Sequence, residues 1–236
     1  MQTLKNYFNT WTKFELSWLV CSNVIMLGVG IVTRDPILAL ISGSAGVISV
    51  VLCAKGRVSN YVFATLNSVL YAYICYQNHL FGGMTLHLLY YIPMNVIGFI
   101  AWNKRKDAQG DVKALRLSKK GFTMVVAGLL IGTLGYTFFL QAIGGKLSLL
   151  DAYIAINTII ATYLTVSRYA EQWVLWLAGD VVNIIMWSLL IGKSPQAATM
   201  LIMWSAYLIN SSYGLYNWIR LNKKQAGESQ KIAIEK

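Results

Sequence analysis

Eight long apolar stretches fill most of this chain. They run over residues 16–33, 36–54, 58–78, 80–103, 121–145, 147–167, 172–192 and 194–219. Each is long enough to cross about 30 Å of hydrocarbon, because an α-helix rises about 1.5 Å per residue. Two stretches carry an acidic residue, Asp151 near one end and Asp180 near the middle. The pattern predicts an all-α integral membrane protein with eight transmembrane helices.

The basic residues fall almost entirely on one side of these predicted helices. If the stretches alternate across the membrane, 17 of the 20 Lys and Arg lie in the connections and termini of one side, and Arg34, Lys146 and Lys193 lie on the other. Short loops rich in Lys and Arg stay in the cytoplasm. The bias therefore predicts that both termini are cytoplasmic, and it supports the number eight.

Composition narrows the function classes. A chain with 56% hydrophobic and 12% charged residues lies outside the soluble globular range. The net charge of +11 sits in the predicted cytoplasmic loops, which favours contact with anionic membrane lipids over nucleic acid. Cys21, Cys53 and Cys75 all lie inside apolar stretches, and His79 and His87 cannot form a metal centre alone. No metal site, cofactor motif or catalytic motif is present, so we do not expect an enzyme.

The two halves of the chain repeat weakly. Each half has an apolar helix, a basic turn, a helix that opens on an aromatic residue, a hairpin, and a last helix that closes on Gly-x-x-x-Trp before a base. The matched positions are Tyr61 with Trp173, Gly98 with Gly214, and Trp102 with Trp218. Three helices are an odd number, so the single helix 121–145 between the repeats restores the starting side and makes the repeats parallel.

This organisation predicts two parallel three-helix bundles joined by a linker helix (3+1+3), plus an extra N-terminal helix, as in SWEET transporters. The predicted segments are an N-terminal segment with the extra helix (1–35), the first bundle (36–104), a cytoplasmic loop with the linker helix (105–145), the second bundle (146–220) and a cytoplasmic tail (221–236). The tail is polar, and we expect it to fray. Folds of this kind bind substrate near the membrane midplane, between the bundles.

Polar residues near the centres of the helices are the candidate site. The predicted substrate-binding residues are Asn67, Tyr71, Asn157, Trp173, Trp176, Asp180, Asn183 and Asn210, and the predicted hinge residues are Pro93 and Asn95. Trp173, Trp176, Asp180 and Asn183 are spaced 3, 4 and 3 apart and share one helical face. A carboxylate at the bilayer centre costs about 2.5–3.5 kcal/mol on insertion scales, so an idle one is disfavoured.

The same residues also allow structural roles. Trp173 fits an interfacial aromatic belt, and Asn67, Tyr71 and Asn183 fit hydrogen bonds between helices. His87 fits a packing residue better than a ligand. As a binding surface, the face of indoles, carboxylate and amide suits a flat, polar or cationic ring, through stacking, cation–π attraction and hydrogen bonds.

Three motifs carry a resemblance to a known family. They are Lys55-Gly-Arg-Val-Ser-Asn-Tyr61 leading to Asn67, Asn95-x-x-Gly98-x-x-x-Trp102, and Arg168-Tyr-Ala-Glu-Gln-Trp173-x-x-Trp176. With them, residues 37–220 resemble the PnuC family of bacterial nicotinamide riboside transporters. The resemblance implies a SWEET-like fold in the bacterial cytoplasmic (inner) membrane, no energy coupling, and trapping of the riboside by a cytoplasmic riboside kinase. In that family the position of Asp180 is not always acidic.

Nicotinamide riboside has a cationic pyridinium ring, a carboxamide and a ribose, which suit the candidate face. A phosphorylated substrate would need Lys or Arg in the cavity, and no apolar stretch supplies one. The alternatives are thiamine or a related aromatic vitamin on the same fold, a sugar, or a membrane-embedded enzyme, for which no clustered nucleophile, base or metal set is found. A homo-oligomer is left open.

Overall fold

The computed structural model describes residues 11–32, 34, 36–77, 79, 81–107, 110–144, 147–189, 191–192 and 197–234. All named elements are helices: α1 Lys13–Val32, α2 Ile37–Lys55, α3 Asn60–Gln77, α4 Phe81–Leu86, the π-helix π1 His87–Tyr91, α5 Ile92–Asn103, α6 Lys119–Ala142, α7 Ser148–Val166, α8 Gln172–Leu189 and α9 Ala197–Ile234. Helices α4, π1 and α5 follow one another without a break. Each of the eight predicted stretches therefore coincides with a helical segment.

Length and apolarity single out six spans within the described part of the chain. They are Lys13–Val32, Ile37–Lys55, Met84–Asn103, Lys119–Ala142, Ser148–Val166 and Gln172–Leu189. Helix α3 falls short because it carries Asn60, Asn67, Ser68 and Gln77. The uncharged part of α9 falls short because it carries Ser205, Asn210, Ser211 and Ser212. The helical, membrane-spanning class is confirmed, whereas a topology of eight crossings stays a prediction.

The chain divides into two compact units, Met1–Lys113 and Ala114–Lys236. In the first unit, α1 packs on α2, α2 on α3, and α3 on α4, π1 and α5. In the second, α6 packs on α7, α7 on α8, and α8 on α9. The order of contacts is the same, so α1 corresponds to α6, and each unit is a four-helix repeat in which the first helix flanks the other three.

Equivalent turns end the second helix of each unit. In the first, Gly56 lies at φ 85°, its N–H donates to Cys53 O, and the Arg57 N–H donates to Leu52 O. In the second, Arg168 lies at φ 68°, its N–H donates to Thr165 O, and the Tyr169 N–H donates to Leu164 O. Both are Schellman motifs, in which one left-handed residue satisfies the last helical carbonyls. The second unit uses Arg where glycine avoids a cost of about 1–2 kcal/mol.

A glycine under an aromatic ring fixes the third helix against its neighbour in both units. The rings of Tyr61 and Trp102 meet edge to face, with centroids 5.1 Å apart, and those of Trp173 and Trp218 meet with centroids 6.3 Å apart. A Cβ on Gly98 would lie 2.3 Å from the Tyr61 ring, and one on Gly214 would lie 2.5 Å from the Trp173 ring. The repeated Gly-x-x-x-Trp motif is therefore a packing device in which glycine lets two helices approach closely.

Charged and polar side chains fasten the N-terminus of α1 to α2. The Thr12 N–H donates to Glu15 Oε2 at 2.6 Å and the Glu15 N–H donates to Thr12 Oγ1 at 3.2 Å, which is a capping box. Lys55 Nζ lies 2.9 Å from Glu15 Oε2, and both side chains are buried. The extra helix predicted from the sequence is thus an integral part of the first unit.

The prediction that the tail from Arg220 frays is wrong for the described residues, because α9 continues as a helix to Ile234. Asn222 Nδ2 donates to Ala114 O at 2.9 Å, and Gln225 Oε1 accepts from the Ala114 N–H at 3.0 Å. Leu221 is buried. These tertiary contacts hold a segment that composition alone indicates to be mobile.

We expect Gly214→Ala to lower the thermal stability of the protein in detergent. The added methyl group would strike the body of the buried Trp173 indole, and overpacking of this kind costs about 1–3 kcal/mol. Gly128→Ala is the control, since nothing lies within 4 Å of its Cβ and alanine favours the helix. A melting temperature for Gly214→Ala equal to or above that of the native protein would contradict the packing role.

Candidate functional site

The second unit holds a buried carboxylate in the middle of α8. Asp180 is 3% exposed, and its Oδ2 accepts a hydrogen bond of 2.7 Å from the Ser211 hydroxyl on α9. One turn further along α8, Asn183 donates to the Gly179 carbonyl of its own helix at 2.9 Å. Asn210 and Ser211, adjacent on α9, are also buried. The structure therefore brings Asp180 into contact with α9 and buries the predicted residues Asn183 and Asn210 in the same two helices.

The first unit has an uncharged counterpart of this pair. Ser68 on α3 and Asn95 on α5 occupy the positions that correspond to Asp180 and Ser211, and Asn95 Nδ2 lies 3.5 Å from Ser68 Oγ. The repeat thus places a polar contact at the same point of both units, and only the second carries a carboxylate. This contact also gives Asn95, predicted as a hinge residue, a definite partner.

Two predicted asparagines hold pairs of helices together. Asn67 on α3 donates to Ser42 O at 2.8 Å and to Ser42 Oγ at 3.2 Å, and it lies beside Gly46 on α2. In the second unit the roles of the two helices are exchanged. Asn157 on α7 donates to Leu175 O at 2.9 Å and lies beside Gly179 on α8. Both amides therefore bridge neighbouring helices. Asn157 Oδ1 is buried without a partner among the described residues.

The two predicted tryptophans contact different neighbours. Trp173 is buried against Gly214 and Trp218 of α9. Trp176 is half-buried and packs against the cluster of Ala161, Leu164 and Leu175. Its Nε1 donates to Thr165 Oγ1 on α7 at 3.2 Å. Trp173 thus belongs to the packing between α8 and α9, whereas Trp176 is oriented by a hydrogen bond and keeps part of its ring accessible.

An aromatic group surrounds His87 in the first unit. The imidazole lies between Tyr71 and Tyr91, with ring centroids 4.7 and 4.9 Å away, and Nδ1 is buried without a partner among the described residues. His87 opens π1, which ends just before Pro93. π-Helical turns are rare in proteins, and those that occur are often found at functional sites. The packing role predicted for His87 leaves this free nitrogen unexplained, and only Pro93 marks the irregular turn in the sequence.

No group of three or more His, Cys, Asp and Glu side chains that could hold a metal is found in the described part of the chain. Three ion pairs lie outside the helix centres in the described part of the chain. Among them, Arg57 Nε lies 3.0 Å from Asp111 Oδ1. Burial raises the pKa of the Asp111 carboxyl, and the Arg57 guanidinium opposes that change.

We expect Thr165→Val to lower thermal stability in detergent by about 1–3 kcal/mol, because it leaves the Trp176 N–H without its acceptor. The Thr165 hydroxyl also donates to the carbonyl of Ala161 in its own helix. Thr123→Val is the matched control, since the exposed Thr123 hydroxyl donates to the carbonyl of Lys119 in the same way but accepts no indole N–H. Equal melting temperatures for the two variants would show that the indole does not depend on Thr165.

Comparisons with known proteins identify transporters similar to this chain. The pattern that defines the nicotinamide mononucleotide transporter family matches residues 36–220. The nicotinamide riboside transporter PnuC of Neisseria mucosa is 35% identical over 230 residues, which cover 95% of this chain and 88% of that protein. The protein of the same name from Haemophilus influenzae is 34% identical over 223 residues, covering 93% and 96% of the two chains.

A solved structure is similar along almost its whole length. The crystal structure of the vitamin B3 transporter PnuC is 34% identical to this chain, with a TM-score of 0.77, and the match covers 94% of this chain and 97% of that one. The motifs around Tyr61, Gly98 and Trp173, on which the resemblance rested, all lie inside the matched region. The chain therefore belongs to the PnuC family of membrane transporters.

Proposed function

We propose that this protein carries nicotinamide riboside into the cell by uncoupled facilitated diffusion. Family membership supports a transporter, and the relatives from Neisseria and Haemophilus are named for this riboside. The observation that carries the assignment to a cationic substrate is the buried carboxylate of Asp180 on α8. The sequence prediction that substrate binds at the membrane midplane, between the bundles, is part of the proposal.

Asp180 favours a positively charged ligand. The ion pairs recorded among the described residues are Lys55–Glu15, Arg57–Asp111 and Arg116–Glu171. The contact of Asp180 is instead the neutral hydroxyl of Ser211. None of these ion pairs, which cover the described residues, includes Asp180. A buried charge without an opposite charge is costly, so a pyridinium ring beside Asp180 would stabilise the carboxylate by supplying that charge. Trp176, one turn away on α8, offers an aromatic face for the same ring.

The remaining polar groups suit the rest of the riboside. We propose that Asn157 Oδ1, Asn183 and Asn210 bind the carboxamide and ribose hydroxyls, that Trp173 supports the site by packing, and that Tyr71 with His87 contributes from the first unit. Asn67, also predicted to bind substrate, holds α3 to α2. We also propose that Pro93 and Asn95, together with π1, act as a local gate or hinge within the first unit.

The family description names the mononucleotide, whereas the relatives are named for the riboside. A phosphate bound in the membrane needs Arg or Lys. The basic residues of the described helices lie at helix ends or in the extension of α9. We therefore propose that the riboside is carried and the mononucleotide is excluded. Phosphorylation by a cytoplasmic riboside kinase would then trap the imported substrate.

The topology of this proposal follows the basic residues. We propose eight crossings of a bacterial inner membrane with two parallel repeats and both termini in the cytoplasm. The support is the distribution of Lys and Arg together with the repeated order of helix contacts. In this topology α6 is the helix that makes the two repeats parallel, and α1 is the extra N-terminal helix.

The decisive test is calorimetric binding of nicotinamide riboside, nicotinamide mononucleotide and thiamine to the purified protein in detergent. We expect the riboside to bind, Trp176→Ala to weaken it, and the mononucleotide not to bind. Binding of thiamine alone would keep the carrier and replace its substrate. Binding of none of the three would overturn the proposal.

We expect Asp180→Asn to weaken binding of the riboside by about tenfold or more, because a hydrogen-bonded charge contact is worth about 1.5–3 kcal/mol. The reduced, uncharged riboside is the control ligand, and its affinity should be nearly the same for both proteins. An equal loss for the two ligands would show that Asp180 acts through structure and not through its charge.

A further inference from the structure

The loop between α5 and α6 makes hydrogen bonds within both units. The last residue bonded to the first unit and the first residue bonded to the second unit are adjacent in the chain. The first part of the loop belongs to the first unit. The Val112 N–H donates to Gly56 O at 2.9 Å, and the Lys113 N–H donates to Arg105 O at 2.8 Å. The ion pair of Asp111 with Arg57 adds a side-chain contact to the same turn. Residues 111–113 are therefore part of the packed structure of that unit, with Val112 fully buried.

The second part of the loop is bound as firmly within the second unit. Asn222 and Gln225, three residues apart on α9, hold both backbone groups of Ala114. The Leu115 N–H donates to Arg168 O at 2.8 Å, and Leu115 O accepts from the Ala170 N–H at 2.9 Å. Glu171 completes the attachment, because its carboxylate accepts from Arg116 Nε at 2.7 Å and from the Leu117 N–H at 3.0 Å.

We propose that the backbone of Lys113, at its junction with Ala114, is the pivot of the transport motion. The N–H of each of these adjacent residues is bonded to a different unit. Carriers built from two repeats move largely by rocking one rigid repeat against the other. Backbone rotation at Lys113, which lies between the two sets of bonds, allows such rocking, whereas separation of the two attached segments would break hydrogen bonds first. The few residues that absorb such rotations are what defines a hinge.

The test inserts two glycines between Lys113 and Ala114, which adds at most about 7 Å of chain. The native cysteines are replaced by alanine, and spin labels are placed at the exposed positions Lys104 and Lys120. We expect the distribution of distances between the labels to broaden by several ångströms, within that limit, and riboside uptake into proteoliposomes to fall. The same insertion after Gly144, in the connection between α6 and α7, is the matched control and should leave the distance distribution unchanged.

A second variant tests the proposal independently, in case the protein with the insertion misfolds. Asn222→Ala with Gln225→Ala releases Ala114 without lengthening the chain, and Lys223→Ala, an exposed change on the same helix, is its control. We expect the double variant to broaden the distribution and Lys223→Ala not to. Native distributions in both the insertion and the double variant would overturn the proposal. This inference requires the carrier motion of the proposed function, but the distance measurement needs no substrate, so a wrong substrate assignment would not affect it.

Discussion

Polar groups inside hydrocarbon have to find partners within the protein, and this requirement determines which helices of each unit meet. Asn67 is bonded to Ser42 across α2 and α3, and Asn157 is bonded to Leu175 across α7 and α8. Asp180 and Ser211 make a further link, between α8 and α9. The hydrophobic effect does not favour contact of an apolar side chain with a neighbouring helix over contact with lipid, because both are equally apolar. A few amides, hydroxyls and one carboxylate therefore specify the packing, while the glycines at positions 98 and 214 set the distance of approach.

The two units are built alike and differ where substrate chemistry is proposed. The second unit has an aspartate where the first has Ser68, and the first has a π-helical turn where the matching part of α9 is regular. The exchange of asparagine and glycine between the pairs Asn67–Gly46 and Asn157–Gly179 keeps the same helix contact with the donor on the opposite helix. A shared framework thus tolerates different side chains at its centre, which is what an asymmetric ligand such as a riboside requires.

Much of this architecture is predictable from the sequence, because long apolar stretches and Gly-x-x-x-Trp pairs act through local rules. The spacing also identifies Asp180 as the deep carboxylate. Spacing cannot distinguish Trp173 from Trp176, since the partner of each ring depends on which neighbouring helix it meets. The helical extension after Arg220 and the attachment of the loop at Ala114 depend on contacts about 110 residues apart in the chain. Composition predicts neither these contacts nor the π-helix that begins at His87.

The left-handed backbone of Arg168 has a consequence for how the chain enters the membrane. The corresponding turn of the first unit has glycine at the strained position and basic residues, Lys55 and Arg57, on either side. Between α7 and α8, Arg168 is the single basic residue from Ser167 to Glu171. A glycine there would relax the backbone but remove the positive charge that, in the proposed topology, would keep this turn in the cytoplasm during insertion. In that topology, conformational strain at one residue is balanced against the signal that orients two helices.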